Sequence, residues 1–131
     1  KISTFYQEIK PEIIYMPFYL DVHSDHQIIA KAVQATIKWF RYPFIQKVLM
    51  YETPSETEFS FIEQRKFNTN VFINISEHLD DKIESMKIYE SEIEKFPFPR
   101  SEKVIKALAA LRGSQSGFDA AEAFELVYER R

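Results

Sequence analysis

Two of the chain's three histidines lie in one six-residue segment, Asp21-Val22-His23-Ser24-Asp25-His26, together with two acidic residues. The segment separates an apolar run from an amphipathic stretch with helical spacing. Imidazoles and carboxylates bind divalent metals and exchange protons near neutral pH. The composition of this segment therefore favours metal-assisted chemistry over simple packing.

The spacing predicts different roles for the two histidines. Ser24 resembles the first residue of a capping box, which places His26 in the first turn of a helix and His23 just before it. A helix N-terminus disfavours imidazolium, so we expect His26 to be neutral with a lone pair available. Because the chain has no cysteine, a zinc site would need His, Asp or Glu ligands. We predict His26 as a zinc ligand, with Asp25 or Asp21 orienting the His23 ring or stabilising its charged form.

An ordinary interpretation of the same residues stays open at this point. Catalytic zinc sites usually use three protein ligands, and the other two are not evident near His26. Ser24 could simply cap the helix while Asp25 interacts with the helix dipole, leaving both histidines as loop residues.

The flanking elements would place the segment at the edge of a sheet. Residues 2–9 have helical spacing up to Pro11, and nothing caps the start of this helix, so the chain is expected to begin inside an element. Ile13-Ile14-Tyr15-Met16 is typical of a strand buried on both faces, and Lys47-Val48-Leu49-Met50-Tyr51 is a second one. Strand, helix and strand in this order predict parallel pairing. Ligands of open α/β sheets bind at the carboxyl ends of such strands.

The remainder of the chain is predicted as a long functional loop followed by helices and a final strand. The loop spans Glu52–Asn70 and includes a short candidate strand at Phe59–Ile62. Ser76 and Ser101 are predicted to cap two helices, the second of which ends at Gly113. The C-terminal tail is predicted to form a strand.

Composition and charge exclude several classes of protein. The chain has 131 residues, 45% of them hydrophobic, enough for one core. Its 17 basic and 20 acidic residues are interspersed and give a net charge of -3, so a nucleic-acid partner is not expected. Apolar runs are too short for a membrane span. We expect a soluble, cytoplasmic protein.

A wider set of residues carries a family resemblance. In order along the chain, these are Lys10-Pro11-Glu12-Ile13-Ile14-Tyr15, His23-Ser24-Asp25-His26, Tyr51-Glu52, Arg112-Gly113 and Ala121-Glu122-Ala123-Phe124. With this order and spacing, nearly the whole chain resembles the carboxyl-terminal part of a PIG-L/LmbE-like N-deacetylase.

The resemblance implies a fold and its extent. It implies an α/β class with a Rossmann-like parallel sheet and flanking helices. Residues 1–131 would form a single, incomplete domain that lacks the first strands. In this family an amino-terminal His-Pro-Asp-Asp-Glu segment supplies two zinc ligands and the general base. That segment is absent from this sequence, so the 131-residue chain alone is expected to be inactive.

The resemblance also implies a reaction. By position, His26 matches the third zinc ligand, His23 the histidine that polarises the carbonyl and stabilises the oxyanion, and Asp25 the acid that tunes His23. Zinc would act as Lewis acid in hydrolysing an N-acetyl group from an N-acetylglucosaminyl-type substrate, an amino-sugar conjugate, with release of acetate and a free amine.

Further candidates have ordinary alternatives. Glu52 could bind a sugar hydroxyl or be a solvated acid, and Arg112 could contact substrate or stabilise a helix end. Glu122 could pair with Arg112 over the pocket. His78 is expected on the surface, and the aromatic residues between 39 and 44 are expected in a core or as a sugar-stacking lip.

A second class of function stays open, namely a non-catalytic α/β interaction or carbohydrate-binding module. In either class, an uncovered sheet edge would be covered by upstream residues or by another subunit of a homo-oligomer.

Overall fold

The structure, a computed structural model, describes residues 1–61 and 65–131. The protein is α/β, with a four-stranded mixed sheet in the order β1-β2-β4-β3 and flanking helices. The elements are α1 (Ile2–Ile9), β1 (Ile13–Pro17), α2 (Ser24–Thr36), β2 (Lys47–Tyr51), β3 (Val71–Asn74), α3 (Leu79–Lys87), a 3-10 turn (Glu90–Glu92), α4 (Glu102–Ser114) and β4 (Ala121–Glu129). The chain divides into two compact units, residues 1–70 with 124–131 and residues 71–123.

The first unit contains the predicted strand, helix and strand. β1 and β2 are parallel, with Ile14 opposite Val48, which confirms the predicted pairing. β2 and β4 are antiparallel, with Tyr51 opposite Phe124. The sheet is therefore mixed, with one parallel pair, and differs in this respect from the all-parallel sheet that was expected.

The core of the first unit lies against β1 and β2. Met16, Phe18 and Val48 are almost fully buried. The central residues of β2 are buried on both faces, as predicted. The same prediction is wrong for β1, in which Ile13 and Tyr15 are 46% and 52% exposed on the face opposite Ile14. From α1, Tyr6 is buried and packs edge-to-face on Tyr42, with ring centroids 5.5 Å apart. This helix thus contributes a narrower apolar face than its sequence spacing predicts.

The predicted loop after β2 is largely irregular. Residues 54–59 form turns, and Ser55 has a positive φ of 79°, which is unusual for a residue with a side chain. In the candidate strand Phe59–Ile62, residues 59–61 are not in a strand. Its last residue, Ile62, and the part of the loop at 62–64 lie outside the described residues.

The second unit contains the two predicted C-terminal helices, with different ends. α3 begins at Leu79 and follows His78, so Ser76 is not its cap. Ser76 instead donates its hydroxyl to Asn74 Oδ1 at 2.7 Å. The prediction for α4 is confirmed, because the side chain of Ser101 accepts a hydrogen bond from the Val104 backbone N–H.

The prediction that α4 ends at Gly113 is wrong. Gly113 lies in the last turn of the helix, which continues to Ser114, and it is buried. A Cβ atom at this position would lie 2.4 Å from the carbonyl oxygen of Phe118. The sequence requires glycine here because the returning chain passes against the helix backbone, not because the helix must stop.

Among the residues that the structure describes, no helix has the length and apolar character needed to cross a bilayer.

Candidate active site

Two loops meet at the carboxyl ends of the parallel strands. The backbone N–H of Phe18, just after β1, donates to the carbonyl of Tyr51 at the end of β2, at 3.2 Å. Further along, the Val22 N–H donates to the Glu56 carbonyl at 3.4 Å. The loop that carries the histidines is therefore held beside the loop that follows β2, at the sheet edge where α/β proteins bind ligands.

Asp21 is the centre of this contact. Its side chain is fully buried, with a relative exposure of 0%. One carboxylate oxygen accepts a 2.7 Å hydrogen bond from the Thr57 hydroxyl, and the other lies 2.8 Å from Nδ1 of His26. The Asp21 carbonyl also accepts a 2.8 Å hydrogen bond from the Gln27 side chain. The sequence analysis considered Asp21 only as a partner of His23, whereas the structure pairs it with His26.

Burial raises the pKa of Asp21 above its ordinary value, although the hydrogen bonds from Thr57 and His26 act in the opposite direction. The same carboxylate affects Tyr51, whose pKa is raised by burial and by the negative charge of Asp21. Tyr51 is therefore a member of this polar group, whereas the sequence analysis placed it only at the end of the second strand, beside Glu52.

Asp21 fixes the orientation of the His26 ring. When Asp21 is ionised, its carboxylate can only accept a hydrogen bond, so in the neutral His26 ring Nδ1 carries the proton and Nε2 keeps its lone pair. The ring is 23% exposed. A histidine whose second nitrogen is held by a carboxylate is the usual arrangement around metal ions in proteins. His26 thus fits zinc as a single ligand, while residues 1–61 and 65–131 contain no cluster of three or more His, Asp or Glu residues suited to a metal.

His23, not Ser24, is the N-cap of α2, which corrects the sequence prediction. Its Nδ1 accepts a hydrogen bond from the Asp25 backbone N–H at 3.2 Å, so the ring nitrogen does what a serine oxygen does at other helix starts. This bond favours the tautomer with a proton on Nε2. The exposed His23 ring stacks beside His26, with centroids 5.2 Å apart and planes at 27°.

The two histidines therefore present different atoms to the same surroundings. In His26 the outer nitrogen is an acceptor that can bind a metal, and in His23 it is a donor that can bind an oxygen. Asp25 contacts His23 through its backbone N–H, and its side chain is exposed. The two rings therefore differ in the hydrogen-bonding character of their outer nitrogens.

The other predicted residues have these positions. Glu52 follows β2 directly and is half-buried, at the same sheet edge as the histidine loop. Arg112 and Glu122 belong to the second unit. Within the described chain, Glu122 forms its ion pair with Lys82, at 2.5 Å, rather than with Arg112 as predicted. Arg112 donates to the Gln115 side chain at 3.0 Å.

Sequence reasoning missed Thr57. It lies 36 positions from Asp21 in a loop with no periodic pattern, so nothing in the sequence indicated that its hydroxyl would reach that carboxylate.

No protein-family model matches the chain.

Proposed function

We propose that the chain carries part of the active site of a zinc-dependent N-deacetylase of the PIG-L/LmbE-like kind. The substrate is an N-acetylglucosaminyl-type amino-sugar conjugate, which the enzyme hydrolyses to acetate and a free amine. One observation carries the proposal: the buried Asp21 carboxylate holds Nδ1 of His26 and leaves Nε2 available, directly beside a second imidazole.

His26 would hold the metal through Nε2. Zinc, when bound, acts as a Lewis acid that polarises the amide carbonyl and lowers the pKa of water. A catalytic site needs two further protein ligands. In the family that the chain resembles, these two ligands and the general base come from a His-Pro-Asp-Asp-Glu segment, which this sequence does not contain.

His23 would stabilise the negative charge that develops on the carbonyl oxygen. When Nδ1 of His23 accepts the cap hydrogen bond from the Asp25 backbone N–H, the ring proton is on Nε2, which can then donate to the carbonyl oxygen. A positioned donor of this kind stabilises the oxyanion more than the ground-state carbonyl, which lowers the barrier. The exposed carboxylate of Asp25 places a negative charge in the first turn of the same helix and would tune this imidazole.

Recognition of the sugar is proposed for the acidic and basic residues that the resemblance includes. Glu52 is the best supported of them, because it lies at the same sheet edge as the histidines. Arg112 and Glu122 are proposed as substrate contacts on the resemblance alone. The parallel β1-α2-β2 unit supports a Rossmann-like class, which is part of the same proposal. The incomplete domain is proposed on the resemblance alone.

The complete natural protein tests this function. After purification without chelator we expect bound zinc and hydrolysis of an N-acetylglucosaminyl substrate. His26→Ala should lose the metal. His23→Ala should keep the metal, and its kcat should fall by a factor of about 10²–10³, the usual effect of removing one oxyanion donor. His78→Ala is the matched control, because it removes an exposed histidine from the start of another helix.

The opposite result would end the proposal: a protein without zinc, in which His26→Ala leaves both metal content and amide hydrolysis unchanged. The chain would then belong to the second class, a non-catalytic interaction or carbohydrate-binding module.

A test on the 131-residue chain itself does not need activity. Nitrogen-15 NMR of the histidine rings should show His26 protonated on Nδ1 and His23 protonated on Nε2. Added zinc should shift the Nε2 resonance of His26 before any other histidine resonance. A His26 ring protonated on Nε2 would contradict the proposed ligand geometry.

A further inference from the structure

The turn after α2 exposes two adjacent aromatic side chains. Trp39 and Phe40 are 64% and 62% exposed, with ring centroids 5.9 Å apart. We call residues 38–41 the aromatic tip. The sequence predicted these aromatic residues to lie in a core or to form a sugar-stacking lip. Two adjacent exposed aromatic rings form an apolar surface that water solvates poorly, and such surfaces commonly mark a site of interaction.

The aromatic tip is held outward by its two ends. Ile37 packs partly against the core, and Tyr42 is buried against Tyr6. Between them, the Lys38 carbonyl accepts backbone hydrogen bonds from Arg41, at 2.8 Å, and Tyr42, at 3.0 Å. The exposure of the two rings is thus a consequence of a closed, anchored turn.

The aromatic tip carries two positive charges, those of Lys38 and Arg41. The sequence from His26 to Tyr51 contains four Lys or Arg residues and no Asp or Glu. Lys38 and Arg41 flank the two rings and are exposed, and the Arg41 guanidinium lies 6.0 Å from the Phe40 ring centroid. Among the described residues, neither of these two cations is in an ion pair with a carboxylate. The chain is acidic as a whole, so this is a local reversal of its charge.

We propose that the aromatic tip docks on the surface of an anionic phospholipid bilayer. Tryptophan and phenylalanine insert at the level of the headgroups, while flanking Lys and Arg side chains bind the anionic lipids. The two charged residues of the tip, Lys38 and Arg41, are both positive and exposed, which is complementary to an anionic surface. This inference does not depend on the proposed hydrolysis.

The net charge of -3 does not prevent such docking. At physiological salt, electrostatic interactions are screened over about 8 Å, so the acidic residues far from the aromatic tip contribute little at the bilayer surface. The binding is peripheral, and the tip is a turn rather than a spanning element.

Trp39 is the only tryptophan in the chain, so its fluorescence reports directly on the proposed contact. Vesicles of phosphatidylcholine with about a third phosphatidylserine provide an anionic surface. With these vesicles we expect the Trp39 emission to shift to the blue and the chain to co-sediment with the vesicles. Vesicles of phosphatidylcholine alone should bind much less. High salt should release the chain from the anionic vesicles.

Variants separate the two components of binding. Lys38→Glu with Arg41→Glu should lower partitioning by roughly tenfold or more, because each cation near an anionic surface contributes about 1 kcal/mol. Trp39→Ala with Phe40→Ala should abolish sedimentation with vesicles. Circular dichroism should show both double variants folded, because all four side chains are exposed.

The matched control is Ile88→Ala with Tyr89→Ala, which removes an adjacent pair of large side chains that is at least as exposed, at 78% and 64%, and is followed by acidic residues. It should bind vesicles like the unmodified chain. Three outcomes would overturn the proposal: no blue shift on anionic vesicles, equal binding to neutral and anionic vesicles, or self-association that requires Trp39 and occurs without vesicle binding.

Discussion

The chain contains two histidine–aspartate pairs beside helix starts, and the structure builds them differently. In the first unit, His26 lies 2.8 Å from Asp21, whose side chain is fully buried and also bonded to Thr57. In the second unit, His78 lies 3.5 Å from Asp81, and the two side chains are 71% and 81% exposed. Both pairs have a histidine and an acid within a few positions, but only one of them is fixed.

The difference lies in what surrounds the acid. A carboxylate in water has many competing partners, and its pairing with a neighbouring side chain adds little. A buried carboxylate must be bonded to every donor within reach, so it holds each of them in one geometry. Asp21 can therefore fix a tautomer of His26, and Asp81 cannot do so for His78. Preorganisation of this kind distinguishes a candidate site from an ordinary surface pair.

The largest expected effect is on stability when the buried acid is removed. Asp21→Ala leaves the Thr57 hydroxyl and His26 Nδ1 without their acceptor, and we expect a loss of about 2–4 kcal/mol in the free energy of unfolding. Asp81→Ala should change it by less than about 0.5 kcal/mol, because the pair is exposed. Urea denaturation followed by circular dichroism measures both. Equal effects of the two substitutions would show that the comparison between the pairs is mistaken.

A smaller effect separates the two helix caps. His23 accepts a hydrogen bond from the second residue of α2, whereas His78 makes no side-chain cap bond to α3. His23→Ala should cost about 0.5–1 kcal/mol, and His23→Asn should recover this loss, since asparagine is a good N-cap. His78→Ala should be nearly neutral in the same denaturation experiment. If His78→Ala were as costly as His23→Ala, the cap bond would not explain the difference.

His23→Asn also sharpens the functional proposal, because it keeps the cap and removes the imidazole. In the complete protein, we expect this variant to retain stability and metal but not turnover. Recovery of activity with asparagine would mean that His23 acts only as a cap.

The sequence was sufficient for the parts of the fold that depend on local pattern. The apolar runs around Ile14 and Val48 predicted two parallel strands, and Ser101 was found as a cap from its position alone. The antiparallel pairing of β2 with β4 could not be predicted, because it joins segments more than seventy residues apart. Gly113 was recognised as special, but the carbonyl of Phe118 that explains it comes from tertiary packing.

For the candidate site, the sequence identified the histidines and not their organising acid. The segment 21–26 contains two aspartates, and both are close enough in sequence to the histidines to bond to one of their rings. Only the fold buries Asp21 and leaves Asp25 exposed, since that choice depends on the loop carrying Thr57. The capping error has a different origin: serine is the preferred N-cap residue, whereas in the structure α2 starts one residue earlier and His23 makes the cap hydrogen bond.

The smallest expected effect is a pH dependence that arises from Asp21. Burial raises the pKa of Asp21 in the folded state. The hydrogen bonds from Thr57 and His26 lower this pKa, and the negative charge of Glu56 raises it. The folded protein then holds this proton more tightly than the unfolded chain. Its contribution to stability is therefore greatest below the ordinary aspartate pKa and is lost as the pH rises through the raised value.

Asp21→Asn removes this titration while keeping a side chain of similar shape. Unfolding by urea from about pH 3 to about pH 6, where carboxyl groups titrate, should show the unmodified chain losing stability relative to Asp21→Asn as the pH increases. Asp81→Asn controls for removal of an acid at a histidine pair. A gain in relative stability with rising pH would mean that the bonds to Thr57 and His26 outweigh burial, and that the ionised carboxylate is the form the fold prefers.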